Sequence, residues 1–269
     1  MQGGGLSEYL VARRSLMRPE DFGLTRMGRR RVPGLRREEL ALLAGISVDY
    51  YTRLEQGRQQ PSARVLDALA EALGLDDDGT RYLHQLGRPT RRPEVARPHE
   101  SVSTGLAQVL LASSENPVLM LGRLREVLLI NPLCAALLPV LRVGLNQLRV
   151  MFLDPAAREL YRDWHGNAVT SVAALRGISH PDVEDLERDD LIRELSEKSC
   201  EFREIWARHD AGMQPLPTAK FHNPFVGDID LHHELLTIIG AEDQLLIIYY
   251  AEPGTPSVDT LEELKKYVT

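Results

Sequence analysis

Between Gly34 and Gly57 the chain reads GLRREELALLAGISVDYYTRLEQG, two short amphipathic segments on either side of Ala44-Gly45. Leu35, Glu39, Leu40 and Leu43 recur at helical spacing, and glycine supplies the left-handed backbone that ends a helix and turns the chain. Ile46 fills the angle between the two helices. Ser47 is a natural N-cap, because its hydroxyl can accept from an N–H of the following first turn. Along the second segment Val48, Tyr51 and Leu54 form an inward row and leave Asp49, Tyr50, Arg53 and Gln56 outward. Two helices joined by a short glycine-containing turn place the second helix in a DNA major groove, with residues near its start reaching base edges. A plain helical hairpin has the same local pattern, so the surrounding chain has to separate the two.

A third amphipathic helix follows in SARVLDALAEALGL, capped by Ser62 after Pro61, with Val65, Leu66, Leu69, Leu73 and Leu75 as its core face. DDGTRYLHQLG makes a further short helix, and LSEYLVARR at residues 6 to 14 opens the series. About twenty residues separate that first helix from Leu35, longer than a compact bundle needs. They carry Arg18, Arg26, Arg29, Arg30 and Arg31 and end in Pro33-Gly34. Three successive arginines directly before the helix-turn-helix suit counterion release from phosphates better than they suit a merely solvated loop.

Charge divides the chain in the same sense. Residues 1 to 97 hold 17 Arg and no Lys against 13 acidic residues, a balance of +4, while the remaining 15 Lys plus Arg face 26 acids, a balance of −11. The overall −7 therefore speaks to solubility, and the basic excess sits where DNA would lie. Arginine also presents a fork that donates two parallel hydrogen bonds to phosphate or guanine. Arg29, Arg30, Arg31, Arg36 and Arg37 are the expected phosphate contacts, and Ser47, Asp49, Tyr50 and Arg53 the expected contacts to bases or the adjoining backbone.

RPTRRPEVARPHE, residues 88 to 100, has three prolines, four arginines and no apolar period, which is linker composition. The expected organisation is a DNA-binding domain at 1–87, a linker at 88–100 and a second domain at 101–269. No secretory signal or apolar run of spanning length is legible, so the expectation is a cytoplasmic protein with no membrane partner. Cys134 and Cys200 lack metal spacing and read as buried reduced thiols.

The second domain starts with a helix around Val102 to Ser113. VLMLG and REVLLIN follow as a strand pair, and a helix restarts at Asn131-Pro132. DPAARELYRDWHGNAVTSVAALRG reads as one helix opened by Asp154 and Pro155, with Tyr161, Trp164, Ala168, Ser171, Val172 and Leu175 on one stripe. PDVEDLERDDLIRELSEKS and CEFREIWARHD continue the helical middle, the latter with Phe202, Ile205, Trp206 and His209 on one face. AKFHNPF, DIDLHHELLTII and DQLLIIYYAEP are strand-like, and SVDTLEELKKYV reads as a closing capped helix. Strands, helices and strands again give an α+β domain with a sheet of about five strands.

Residues 6 to 87, and above all YYTRLEQGR, resemble the XRE-type, lambda-repressor-like helix-turn-helix domain, which implies an all-α unit of about five short helices. FLDPAARELYRDW, LSEKSCEFREIWARHD, AKFHNPFVGDIDLHHELL and YYAEPGTPS in that order resemble the MmyB-like transcriptional regulators. There the XRE-type head precedes a PAS-like ligand-binding domain, and the arginine insert before LRREE is part of the resemblance. Two stretches depart from the family pattern. Ile130 of EVLLIN stands where the family has tryptophan, and Asn223-Pro224-Phe225-Val226-Gly227 replaces a His-Pro-x-Val-Gly element, with the histidine displaced to His222.

The resemblance implies a homodimer on double-stranded DNA and a small amphipathic effector, a long-chain fatty acid foremost, with no cofactor. Asn131, Arg149, Tyr161, Trp164, Arg203, Trp206 and His209 are the candidates to line its site, the arginines, Tyr161 and His209 for a carboxylate. Core packing is the competing role for Tyr161, Trp164, Phe202 and Trp206, and a hydrogen-bonded pair the competing role for His209-Asp210. Control by a protein partner through the second domain is the main alternative, for which an exposed apolar groove would speak. An enzymatic second domain is less favoured: the histidines lack any accompanying HExxH, paired-cysteine or Gly-x-Ser-x-Gly arrangement, and His232 and His233 would point to opposite faces of a strand.

Overall fold

Glycines and hydroxyls punctuate the N-terminal helices where the local sequence asks for them. The computed structural model describes residues 4–22, 34–87, 100–112, 115–178, 186–208, 216 and 218–268. The arginine-rich stretch 23–33, linker residues 88–99, His209 and Asp210 lie outside the described residues. The head comprises α1 (Gly4–Leu16), a 3-10 turn (Pro19–Phe22), α2 (Arg37–Leu43), α3 (Val48–Glu55), α4 (Ala63–Ala72) and α5 (Asp77–Leu86). Gly45, at φ 64°, ends α2, with its N–H on the Leu42 carbonyl and that of Ile46 on the Ala41 carbonyl. Nothing would crowd a side chain there, so strain alone opposes one. Gly45→Ala is expected to lower the head's stability by about 1–2 kcal/mol, measurable as a shift in its denaturant midpoint.

The head's core draws on Tyr9, Leu10, Leu35, Leu40, Tyr51, Leu54, Leu66, Leu69 and Leu83. Three residues placed inward by spacing lie elsewhere: Leu43 and Val48 are exposed, and Glu39 accepts from the Arg36 N–H at 2.7 Å, closing the first turn of its own helix. Seven residues make barely two turns, so α2 reaches the core only through Leu40 and Ala41.

The second domain contains α6 (Thr104–Ala112), β1 (Val118–Leu121), β2 (Val127–Ile130), α7 (Pro132–Leu137), α8 (Gln147–Leu153), α9 (Pro155–Leu160), α10 (Trp164–Ile178), α11 (Leu186–Lys198) and α12 (Cys200–Ala207). It continues with β3 (Ala219–Asn223), β4 (Gly227–Ile238), β5 (Ala241–Tyr250) and α13 (Pro256–Lys265). The strands form one antiparallel sheet in the order β2-β1-β5-β4-β3. One sheet face, including Leu119, Leu121, Leu245, Ile247, Ile229 and Leu231, shares a core with Leu133, Leu148, Leu175, Leu195 and Phe202 from the helices. Val118, Met120, Leu129 and Leu246 cluster separately with Leu110 of α6. Period-two alternation thus gives the central strands two apolar faces, each covered.

Three expectations need correction, and one helix was not expected. The single helix expected from Asp154 is two, because Tyr161 leaves the helical path to bridge Phe221 and Asp163 recaps the chain by accepting from the Gly166 N–H at 3.0 Å. Helix α8, just before Asp154, has no counterpart in the sequence reading. Helix α13 starts at Pro256, and the Ser257 hydroxyl, instead of capping it, accepts from the Asp230 N–H of β4 at 3.1 Å. Cys134 is buried as expected, whereas Cys200 is exposed at the start of α12.

Candidate nucleic-acid interface and sensor site

The recognition unit begins at Ser47, whose hydroxyl accepts from the Tyr50 N–H at 3.1 Å and sets the start of α3. Tyr51 and Leu54 are fully buried below it, and Ser47, Asp49, Arg53 and Gln56 face outward with Tyr50 half-buried beside them. Asp49 and Arg53 form an i,i+4 ion pair at 2.6 Å on this outer face. Both are substantially exposed, so the pair is weak and Arg53 can exchange the carboxylate for a phosphate or a base at little cost.

Glu55, absent from the sequence reading, organises this unit from beneath. Its carboxylate is buried and accepts from Arg14 Nε at 2.6 Å, Arg14 Nη2 at 3.3 Å, Arg37 Nε at 2.6 Å and the Tyr51 hydroxyl at 2.7 Å. Arg14 also donates to the Leu35 carbonyl at 2.7 Å. One side chain thus ties together α1, the entry to α2, α2 itself and α3. Burial acts to raise the carboxyl's pKa, but the hydrogen bonds from Arg14, Arg37 and Tyr51 outweigh it and hold the group below the usual glutamate range. Arg37, expected on phosphate, therefore gives its Nε to an internal carboxylate, although half its side chain stays exposed. Arg36 is exposed at the start of α2. Arg29, Arg30 and Arg31 lie outside the described residues. A clue to Glu55 was present: an acid four residues after Tyr51 and next to Leu54 falls on the inward row, where burial requires a cation partner.

In the second domain the aromatic candidates form two groups. Trp164, Phe152, Phe202 and Trp206 make a continuous row, with ring centroids 5.6, 5.1 and 5.8 Å apart in succession. Arg158 lies over Trp164 at 3.9 Å and Arg176 over Trp206 at 3.7 Å, and the Trp164 indole donates to the Met151 carbonyl at 2.9 Å. Tyr161 belongs to the other group. It packs 5.5 Å from Phe221, which in turn meets Tyr249 at 5.7 Å, and burial pushes its phenol pKa up.

The polar candidates do not converge on these rings. Asn131 is fully buried, accepts from the Val118 N–H at 3.0 Å and the Cys134 N–H at 2.8 Å, and donates to the Asn116 carbonyl at 2.8 Å, so its side chain locks β1 to the start of α7. Arg149 pairs with Glu194 of α11 at 2.9 Å with nearly half its side chain exposed, and Arg203, also exposed, donates to the Ser196 carbonyl at 2.8 Å. Both guanidiniums sit at the surface because their long stems leave the buried row of their own helices. His209 is outside the described residues.

Residues the sequence reading passed over are buried instead. Asn223, in the stretch that departs from the family pattern, donates to the Ala136 and Leu137 carbonyls at 2.8 and 3.0 Å and ties β3 to α7. Arg176 and Arg125 are also buried, the latter fully and at φ 71° in the turn between β1 and β2. Among the described residues no group of three or more His, Cys, Asp or Glu side chains is placed to hold a metal ion. Among the described residues, two surface hollows border this domain. A cleft of about 640 Å³ has Tyr9, Arg13, Leu75 and Asp76 of the head on one side and His165, Val169, Thr170 and Ala173 of α10 on the other. A groove of about 450 Å³ between α6 and β2 is lined by Val102, Ala107, Leu111, Leu129 and Val143.

A helix-turn-helix domain model matches residues 24–83, beginning inside the arginine-rich stretch, and the MmyB-like transcription regulator ligand binding domain model matches residues 102–264. Among curated proteins none matches the chain. No helix among the described residues is long and apolar enough to cross a membrane. The second match spans more than half of the chain and takes in the whole sheet together with α6 to α12, while the first contains the α2–α3 unit. The chain therefore belongs to the MmyB-like transcription regulators, DNA-binding proteins with a ligand-sensing domain.

Proposed function

We propose that this regulator binds operator DNA in the cytoplasm as a homodimer, α3 of each copy entering one of two successive major grooves roughly 34 Å apart. A small amphipathic effector, with a long-chain fatty acid the leading chemistry, occupies the second domain and changes the placement of the two heads. DNA affinity then follows the spacing of the heads, a coupling between two distinct sites. The observation that carries this reading is the position of α10. Its Trp164 and Arg176 belong to the aromatic row, while its His165, Val169 and Thr170 face the head across the cleft. A ligand that displaces the row moves the helix that borders the DNA-binding unit.

The test is binding to a fluorescent duplex of the protein's own promoter region, across salt and with a panel of fatty acids and other amphiphiles. Nanomolar, salt-dependent binding shifted by one of them supports the reading. Absence of any binding to the duplex overturns it for that site. Arg30→Ala is expected to weaken all duplexes alike and to reduce the slope of log affinity against log salt by about one unit. Arg53→Ala is expected to cost about 1–3 kcal/mol and to relax preference at one base position; equal loss on every sequence would assign Arg53 to the backbone.

The α6–β2 groove favours a second reading, control by a protein partner, since Leu111 and Val143 are exposed along it. Promoter binding that no small molecule shifts would move the weight to that reading.

A further inference from the structure

Strand β4 outruns the neighbour on one of its sides. β3 pairs with Gly227 to Leu231, whereas His232 to Ile238 pair only with β5. Hydrogen-bond direction identifies the groups left over. The Asp230 N–H donates to the Ser257 hydroxyl at 3.1 Å, and Lys220, opposite Asp230 in β3, accepts from the Arg162 N–H at 3.0 Å on its far side. That pair points away from the β3–β4 seam, so by alternation Ile229 and Leu231 point into it. His233 and Leu235 continue the same row past the end of β3, and their outward N–H and C=O groups have no partner among the described residues.

The chain entering β3 cannot fill this gap with strand. Running the β3–β4 register backward sets Pro217 against His233 and Pro215 against Leu235, and neither proline has an N–H to donate. The far side of the sheet is closed by contrast: the Val127 N–H of β2 donates to the Leu145 carbonyl at 2.8 Å, and the Val127 carbonyl accepts from the Gly144 N–H at 2.9 Å. An open edge is a template for another strand, which proteins ordinarily block with lysine, proline or an inward charge. From Leu231 to Ala241 this chain has none of the three, its one acid being Glu234, and Leu236 and Ile239 are exposed.

The charge pattern of the edge suits a second copy of itself. About a two-fold axis through Leu235, antiparallel pairing sets Leu235 against Leu235 of the copy and His233 against Thr237, so each outward group meets another. Glu234 then lies opposite Leu236, and the acid never faces its equivalent. Moving the axis to Glu234 would oppose the two acids directly.

We propose that the β4 edge from His233 to Thr237 is where two copies of this chain join, their sheets running on into one. This rests on the homodimer reading above and names the surface that makes the dimer.

The test is sedimentation of the full chain over a concentration series, with and without the promoter duplex, together with hydrogen exchange. Wild type is expected to form a dimer, with exchange at 233–237 slowing as it forms. Leu236→Glu sets an acid against Glu234 on both sides of the axis and is expected to weaken the dimer roughly tenfold. Leu236→Lys sets a cation there and is expected to leave the dimer at least as tight, and Glu234→Lys added to Leu236→Glu is expected to restore it. Leu236 is exposed, so tryptophan-fluorescence melting should be unchanged in all three. A dimer indifferent to Leu236→Glu, or weakened equally by Leu236→Lys, overturns the edge and leaves the homodimer reading standing. Slow exchange at 233–237 in diluted, monomeric protein overturns it as well, because the chain's own residues would then cover the edge. A wild-type chain that stays monomeric throughout, duplex included, overturns the homodimer reading and the edge with it.

Discussion

Glu55→Ala is expected to unfold the DNA-binding domain or bring it to the edge of unfolding, and to abolish promoter binding. The substitution leaves the buried Arg14 without its carboxylate and removes the acceptor for Arg37 and Tyr51. Breaking a buried ion pair from one side costs about 3–5 kcal/mol, against a total stability of roughly 5–15 kcal/mol for a domain. Tyr51→Phe, which removes one donor and leaves both guanidiniums in place, should cost only about 1–3 kcal/mol. Circular dichroism melting of both variants, with duplex binding at a temperature where each is folded, separates lost stability from lost recognition. A Glu55→Ala head that melts within a degree or two of wild type would remove Glu55 from this role.

The same network sets an acid limit. Because the Glu55 carboxyl is held below its ordinary pKa in the folded head, its contribution is complete above the unfolded value, about 4.3, and is lost as pH falls through the folded value. The wild-type head should lose stability more steeply than Glu55→Gln below that pH, and the two should run parallel above it.

Phe202→Ala is expected to have a comparable effect on the other domain. Phe202 is fully buried and stands between Phe152 and Trp206, so its removal leaves a cavity in the middle of the aromatic row. Truncating a buried phenylalanine costs about 3–5 kcal/mol. The chain's two tryptophans, Trp164 and Trp206, both lie in this row, so tryptophan fluorescence reports the unfolding of the sensor while the head contributes only to circular dichroism. The expected outcome is a fluorescence transition displaced to markedly lower temperature, with promoter binding retained below it and its response to amphiphiles lost. Equal displacement of promoter binding would show that the head depends on the sensor for its fold.

The elements were legible wherever a local signal decides them. Ser47 and Ser62 cap their helices, Gly45 closes α2, and short continuous apolar runs produce the strands at 118–121 and 127–130 and most of that at 241–250. The break at Tyr161 was partly legible, since Asp163 followed by Gly166 is a capping pattern, but a continuous apolar stripe masked it. The sites were less legible than the elements. A long side chain such as Arg149 or Arg203 satisfies a sequence pattern equally well whether its head turns inward or outward.

What the sequence by itself determined is the succession of a basic helix-turn-helix head and an acidic α+β domain, together with the outward row of α3. Helix caps, glycine turns and apolar periods act over a few residues, so they survive without knowledge of the fold. The tertiary structure alone decided which charges meet. Glu55 pairs with Arg14 across 41 residues, Arg149 with Glu194 across 45, and Arg125 is buried with its Nε and Nη2 unpartnered among the described residues. The energy of a charge depends on its burial and on the nearest opposite charge in space, and neither is a property of a stretch of chain.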